Sequence, residues 1–265
     1  MHRDEKMHAL DVLRLEGGAD ASRWLLEPVI GGMSGAAIFR AVRGDHPPRY
    51  LKVAIDDVVA GLRDEIARTG WLATHGISVP RILRINDRGV SLAVLSEAMP
   101  GVPADTSPLP VPRLIEGLAK GLAALHALPA AGCPFDESLA TRLSRAAEAV
   151  SAGEIDPDEF DPRNRNVAPE ALLKRLTASR PDEDTVVVHG DATLSNIIID
   201  ESGTPGFLDC GHAGRGDRYL DLAVLSADIE EHFGARAAAR FAEVYGVSRW
   251  DKVKAGYYLD LYELF

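Results

Sequence analysis

The run His189-Gly190-Asp191-Ala192-Thr193-Leu194-Ser195-Asn196 follows the apolar stretch Val186-Val187-Val188. Thirteen residues beyond Asn196, Gly206-Phe207-Leu208-Asp209 ends a second short run on another acid. These residue types at this spacing suit phosphoryl transfer. The transferred group is heavily charged and must be held in line between two oxygens. Such a site needs a carboxylate to orient the acceptor hydroxyl and take its proton. It also needs hard oxygen ligands for Mg²⁺ and a cation on the nucleotide phosphates. Asp191 fits the first role, and Asn196 and Asp209 fit the second. His-Gly-Asp alone would read as a turn, and Asn196 as a cap. The spacing, the flanking strands and the second Asp together favour the catalytic reading.

The cation is sought among the strands of the first third. Lys52 lies in the β-like run Tyr50-Leu51-Lys52-Val53-Ala54, and Glu65 follows in a helical pattern. Their pairing would fix the ammonium against the α- and β-phosphates of ATP. A lone strand lysine is ordinarily a solvated edge charge, and it is the downstream motif that lifts Lys52 above that reading. Gly31-Gly32-Met33-Ser34-Gly35, between the first two strands, would let backbone amides approach phosphate, though a plain hairpin turn would look the same.

The elements that must position these residues divide the chain. Residues 24–30, 36–42 and 49–55 read as strands, separated by Gly31-Gly32, Gly44 and Pro47-Pro48. A helix follows over 58–75 and stops at Gly76. Two more strands, 81–85 and 90–96, flank the turn Asn86-Asp87-Arg88-Gly89. The proline-rich stretch from Met99 to Pro112 then marks a boundary. Beyond it helices dominate: Leu114, Leu118, Leu122 and Leu125 line one face, and 137–151 and 168–179 follow. Short strand-like runs cover 185–188, 197–200 and 207–208, and helices return over 217–233, 235–245 and from 250 onward. The expected fold is α+β: an N-terminal β lobe with one helix (1–96), a hinge (97–103) and a larger, mainly α-helical C-terminal lobe (104–265).

Composition narrows the partners. The net charge of −11 argues against nucleic acid and anionic lipid, and suits a cationic small molecule. Two distant cysteines, Cys133 and Cys210, match no zinc spacing and fit a reducing compartment. The N-terminus reads as neither signal peptide nor membrane segment. A cytoplasmic enzyme is expected.

Together these residues resemble the aminoglycoside 3′-phosphotransferase (kanamycin kinase) group of antibiotic phosphotransferases, which has a two-lobed, protein-kinase-like fold. The resemblance runs from about Pro28 to Phe265. It is carried by Val188 to Asn196, Gly206 to Gly211, Gly216-Asp217-Arg218-Tyr219-Leu220-Asp221-Leu222-Ala223 and Glu263-Leu264-Phe265, with Asp64-Glu65, Trp71-Leu72-Ala73 and Ser96-Glu97-Ala98 adding to it. It implies that Asp191 is the catalytic carboxylate, that Asn196 and Asp209 bind Mg²⁺, and that Lys52 and Glu65 form the phosphate-binding pair. It further implies that Met33 and Ser34 lie over the β-phosphate, that Tyr50 stacks on adenine, and that Ser96 and Ala98 hydrogen-bond adenine through their backbone. His189 would orient the catalytic loop, and His126 reads as a core or interlobe histidine.

The departures from the family pattern fall on the acceptor side. His212 stands where Arg is usual, His232 where an acid is common and Tyr262 where Asp is usual; Asp161 is followed by Pro162 and Arg163 instead of acids. Asp228, Glu231, Glu263 and the Phe265 carboxylate remain as negative groups for a cationic acceptor. The leading expectation is an ATP-dependent aminoglycoside 3′-hydroxyl kinase. The alternatives are the same chemistry on another antibiotic, sugar or choline-like acceptor, and a non-catalytic nucleotide-binding pseudokinase. Gly211 to Asp217 is too short for an activation loop, which disfavours a protein kinase.

Overall fold

The computed structural model describes residues 8, 11–12, 24–29, 35–44 and 46–265. The chain forms two compact units, one comprising Met1–Pro100 with Phe207–Gly211 and the other Gly101–Gly206 with His212–Phe265.

The first unit is built on an antiparallel sheet of order β1-β2-β3-β5-β4, from β1 (Leu25–Val29), β2 (Ala37–Arg43), β3 (His46–Ile55), β4 (Ile82–Asp87) and β5 (Ser91–Glu97). Alternation along β3 and β5 sorts their side chains to two faces. Leu51, Val53, Ala93 and Leu95 pack with Val12, Trp24, Phe39 and Ala41 on one face. Ala54, Leu92 and Val94 pack with Val59 and Leu62 of helix α1 (Val58–Thr74) on the other. Lys52 alternates with Leu51 and Val53, so it stands on the face that α1 covers. Helix α1 stops where Gly76 (φ 80°) reverses the chain: Ile77 donates to the Leu72 carbonyl and Gly76 to that of Ala73. Strand β3 starts three residues earlier than its alternation suggests. Pro48 has no N–H to give, yet its carbonyl accepts the Ala98 amide at 3.2 Å and prolongs the ladder.

In the second unit, α2 (Val111–His126) buries the whole predicted leucine stripe, Leu114, Leu118, Leu122 and Leu125. Gly117 and Gly121 lie one turn apart on α2, and a Cβ on either would strike the Gly203 carbonyl or the Pro205 ring of the following hairpin. Helix α3 (Leu139–Ala152) is capped by the Ser138 hydroxyl and ended by Gly153, and α4 is Pro169–Ala178. Strand β7 (Thr185–Val188) pairs antiparallel with β10 (Gly214–Asp217), while β8 (Ile197–Ile199) lies between β6 (Val102–Pro103) and β9 (Pro205–Phe207). Helices α5 (Tyr219–Phe233), α6 (Ala235–Tyr245) and α7 (Lys252–Tyr262) complete the unit. Two strands went unread in the sequence. Gly-Arg-Gly-Asp has no β propensity, and β10 exists because Val186–Val188 offers it a ladder. Strand β6 is two residues long and is defined only by Ile198 and Ile199 opposite it.

Candidate active site

In the first unit, β3 and α1 bring Lys52 and Glu65 together with Nζ and Oε2 2.7 Å apart. Asp209, 157 residues from Lys52 in sequence, places Oδ1 3.0 Å from the same ammonium. Both Lys52 and Glu65 are largely buried, whereas the Asp209 side chain is half exposed. Burial works against the lysine's charge, but the Glu65 and Asp209 carboxylates outweigh it and hold its pKa above the ordinary value. Asp209 has a φ of 48°, a left-handed conformation that a non-glycine residue seldom adopts and that concentrates at functional sites. Next to it, Cys210 is buried, and burial together with the Glu65 and Asp209 carboxylates pushes its thiol far up, leaving it unreactive.

The nucleotide-side residues beyond this triad are placed as follows. Tyr50 pairs with Ser96 across β3 and β5, on the Lys52 face, and its side chain is partly exposed. A base edge reaching Ala98 would have to take its amide from Pro48. Met33 and Ser34 lie outside the described residues.

In the second unit, the buried strand β7 runs into His189-Gly190-Asp191, and Asp221 in the first turn of α5 fastens that loop. Its two oxygens accept the His189 amide and the Gly190 amide, each at 2.7 Å. His126 Nε2 lies 2.9 Å from the same carboxylate, and His126 Nδ1 lies 2.7 Å from the Tyr245 hydroxyl. Burial alone would raise the pKa of Asp221, but the hydrogen bond and charge of His126 and the bond from the His189 amide hold it below the ordinary value. His126 is thus a core histidine, as expected. The Asp191 amide donates to His189 Nδ1 at 3.3 Å, so His189 shapes the loop from within. Gly190 has a φ of 81°, and its carbonyl accepts from Arg142 at 2.7 Å. Arg142 is itself buried and paired with Glu137 at 2.9 Å.

Asn196 turns its amide nitrogen to Asp191, 2.7 Å from Oδ2 and 3.0 Å from the backbone carbonyl. That orientation leaves the amide oxygen as its donor atom for a cation. Asp209 likewise keeps a second carboxylate oxygen beyond the one on Lys52. Among the described residues no three acidic, histidine or cysteine side chains cluster as a protein-only metal cage. Mg²⁺ does not need one: it keeps several waters and binds through one or two protein oxygens plus phosphates, and an amide oxygen or a carboxylate oxygen is each a donor it accepts.

The acceptor-side residues are drawn into the protein's own structure more than their charges suggest. Tyr262 donates its hydroxyl to Asp191 Oδ1 at 2.7 Å. Burial and the adjoining Asp191 raise the phenol's pKa, so it remains the donor. Asp228 accepts the Leu194 amide of the loop between His189 and Asn196 at 2.6 Å and lies 3.0 Å from His232. Glu263 accepts the Asp161 amide at 3.0 Å and clamps the 161–164 loop. The Phe265 ring lies 4.9 Å from the Arg142 guanidinium and edge-on to His212, with centroids 6.4 Å apart. Asp161 and Glu231 remain exposed. Asp221, Arg142 and Glu137 were not singled out from the sequence as supports. Asp221 carried a readable sign, an acid inside the apolar run Leu220 to Leu225. Arg142 carried none, since an arginine in an alanine-rich helix looks solvated.

Residues 11–255 match the phosphotransferase enzyme family. The streptomycin 3″-kinase of Streptomyces griseus is 36% identical, covering 90% of each chain. An aminoglycoside 3′-phosphotransferase of Streptomyces fradiae is 34% identical over 88% of this chain and 92% of its own. The structure of aminoglycoside phosphotransferase APH(3″)-Id from Streptomyces rimosus in complex with ADP and streptomycin superposes with a TM-score of 0.82 at 33% identity, covering 98% of each chain. The expected α+β, protein-kinase-like fold class is borne out, with an antiparallel β sheet in the N-terminal part and helices dominating the C-terminal part. By fold, by motif and by relatives along nearly its whole length, the chain belongs to the phosphotransferase enzyme family and, within it, to the aminoglycoside phosphotransferases.

Proposed function

We propose that the protein transfers the γ-phosphoryl group of ATP to the 3′-hydroxyl of an aminoglycoside and so inactivates the antibiotic. The observation that carries this reading is the pairing of Asp191 with Asn196 in a loop fastened through Asp221. Asp191 orients the acceptor hydroxyl and takes its proton as the oxygen attacks phosphorus. Lys52, held by Glu65, lies against the α- and β-phosphates. The family resemblance alone assigns Met33 and Ser34 to the β-phosphate; Tyr50 would stack on adenine, and Ser96 and Ala98 would hold its edge through their backbone. Asn196 and Asp209 would hold Mg²⁺, which supplies charge neutralisation on the phosphates. Residues 97–103 act as the hinge between a nucleotide-binding lobe (1–96) and an acceptor-binding lobe (104–265). Exposed Asp161 and Glu231 offer charge to the amines of the acceptor, beside His212, Asp228, His232, Tyr262, Glu263 and Phe265. No helix among the described residues is long and apolar enough to cross a membrane. The need for ATP places the reaction in the cytoplasm.

A second reading is the 3″-hydroxyl of a streptomycin-type acceptor. It is favoured by the 36% identical streptomycin 3″-kinase, which matches along 90% of each chain. One assay separates the readings: ADP release with kanamycin, its 3′-deoxy analogue and streptomycin. Turnover of kanamycin but not the analogue supports the 3′ position, and turnover of streptomycin alone supports the second reading. Silence with all three, ATP binding intact, moves the search to other hydroxylated small molecules.

A further inference from the structure

Tyr262 lies in the last turn of α7, and its surroundings fix where its hydroxyl goes. One residue on, Glu263 is tied to the 161–164 loop through the Asp161 amide. Three residues on, Phe265 lies against Arg142, which itself holds the Gly190 carbonyl. The phenol is therefore aimed at Asp191 by anchors C-terminal to it on the same chain segment. Its Oη stands 2.7 Å from Oδ1, while Asn196 takes Oδ2 at the same distance. Each carboxylate oxygen thus has a side-chain donor.

A hydroxyl that donates to Asp191 at this distance has the geometry required of an acceptor about to lose its proton, within about 2.6–3.2 Å of the base. We propose that Tyr262 occupies the acceptor hydroxyl's place on Asp191 when no acceptor is bound, so that an acceptor must displace the phenol and water cannot use the base. This rests on the reading of Asp191 as the proton-accepting carboxylate. Tyr262 is then a specificity-determining residue. It favours acceptors with enough other contacts to offset the lost hydrogen bond, and it excludes water, the smallest competitor. In the wasteful reaction it prevents, a water oxygen bonds to the γ-phosphorus, the β–γ bridging bond breaks and a proton passes to Asp191. The products are ADP and inorganic phosphate.

The test is ADP release from Mg–ATP with no acceptor present, in wild type, Tyr262→Phe, Asp191→Asn and the double variant. Tyr262→Phe keeps the ring and removes only the hydroxyl. It should raise acceptor-free ADP release by about tenfold or more, the scale of one hydrogen bond to a charged group, and lower the KM of any productive acceptor. The increase should vanish in the double variant. Unchanged acceptor-free release in Tyr262→Phe overturns the inference, whatever happens to kcat. Release that survives Asp191→Asn instead overturns the assignment of Asp191, a distinct failure. Because no acceptor is used, the result does not depend on which antibiotic the enzyme takes.

Discussion

The carboxylate of Asp221 accepts the backbone amide of His189 at 2.7 Å, tying the start of α5 to a loop 32 residues earlier in the chain. Its other oxygen takes the Gly190 amide, so one buried side chain satisfies two buried donors immediately before Asp191. An asparagine there would turn an N–H toward one of those amides. Asp221→Asn should therefore cost about 2–4 kcal/mol, read as a fall in Tm of several degrees, together with a large loss of kcat.

The same carboxylate makes stability pH-dependent. Its pKa lies below the ordinary value in the folded protein, so the unfolded chain binds the proton more readily. Its contribution is fully present above the unfolded value of about 4 and is lost as pH falls through the depressed folded value. Acid unfolding curves should show a smaller loss of stability below about pH 4 in Asp221→Asn than in wild type.

Asp191→Ala should abolish phosphoryl transfer by a factor of about 10² or more, while ATP still binds. Single-turnover transfer and nucleotide titration check the two halves separately. Full loss of ATP affinity would show that the residue has been misassigned.

Lys52 is held by Glu65 at 2.7 Å and by Asp209 at 3.0 Å, so removing one partner leaves the ammonium tethered from a single side. Glu65→Ala should raise the KM for ATP by about tenfold, the scale of one hydrogen bond to a charged group. Lys52→Ala removes the cation itself and should lower kcat/KM for ATP further. Initial-rate kinetics at varied ATP distinguish the two.

Gly190→Ala combines a left-handed φ of 81° with a Cβ that would strike the His212 carbonyl. The backbone conformation alone costs about 1–3 kcal/mol, and relief of the clash must shift Asp191. A loss in kcat of about 10²-fold is expected, since misplacement of a catalytic group by about 1 Å has that effect. Circular dichroism should show the fold retained.

Much of this architecture was determined by the sequence alone. Apolar residues recur at helical spacing along α2 and alternate along β3, because burial of one face is a local, periodic demand that a single strand or helix must meet. The pairing of Asp191 with Asn196 was legible for a related reason: the two residues share one short loop, and their side chains meet at 2.7 Å. Tertiary structure alone decided which partner each side chain takes. Asp228 and Glu263 carry the charge expected of an acceptor site, yet they accept the Leu194 and Asp161 amides. Tyr262 departs from the family pattern in sequence, and only the fold shows it on Asp191, 71 residues away. Strand β10 has no propensity of its own and is a strand because β7 lies beside it. Spacing along a chain limits which residues share a face, whereas a hydrogen bond at 2.7 Å depends on how distant segments pack, and that is set by the whole core.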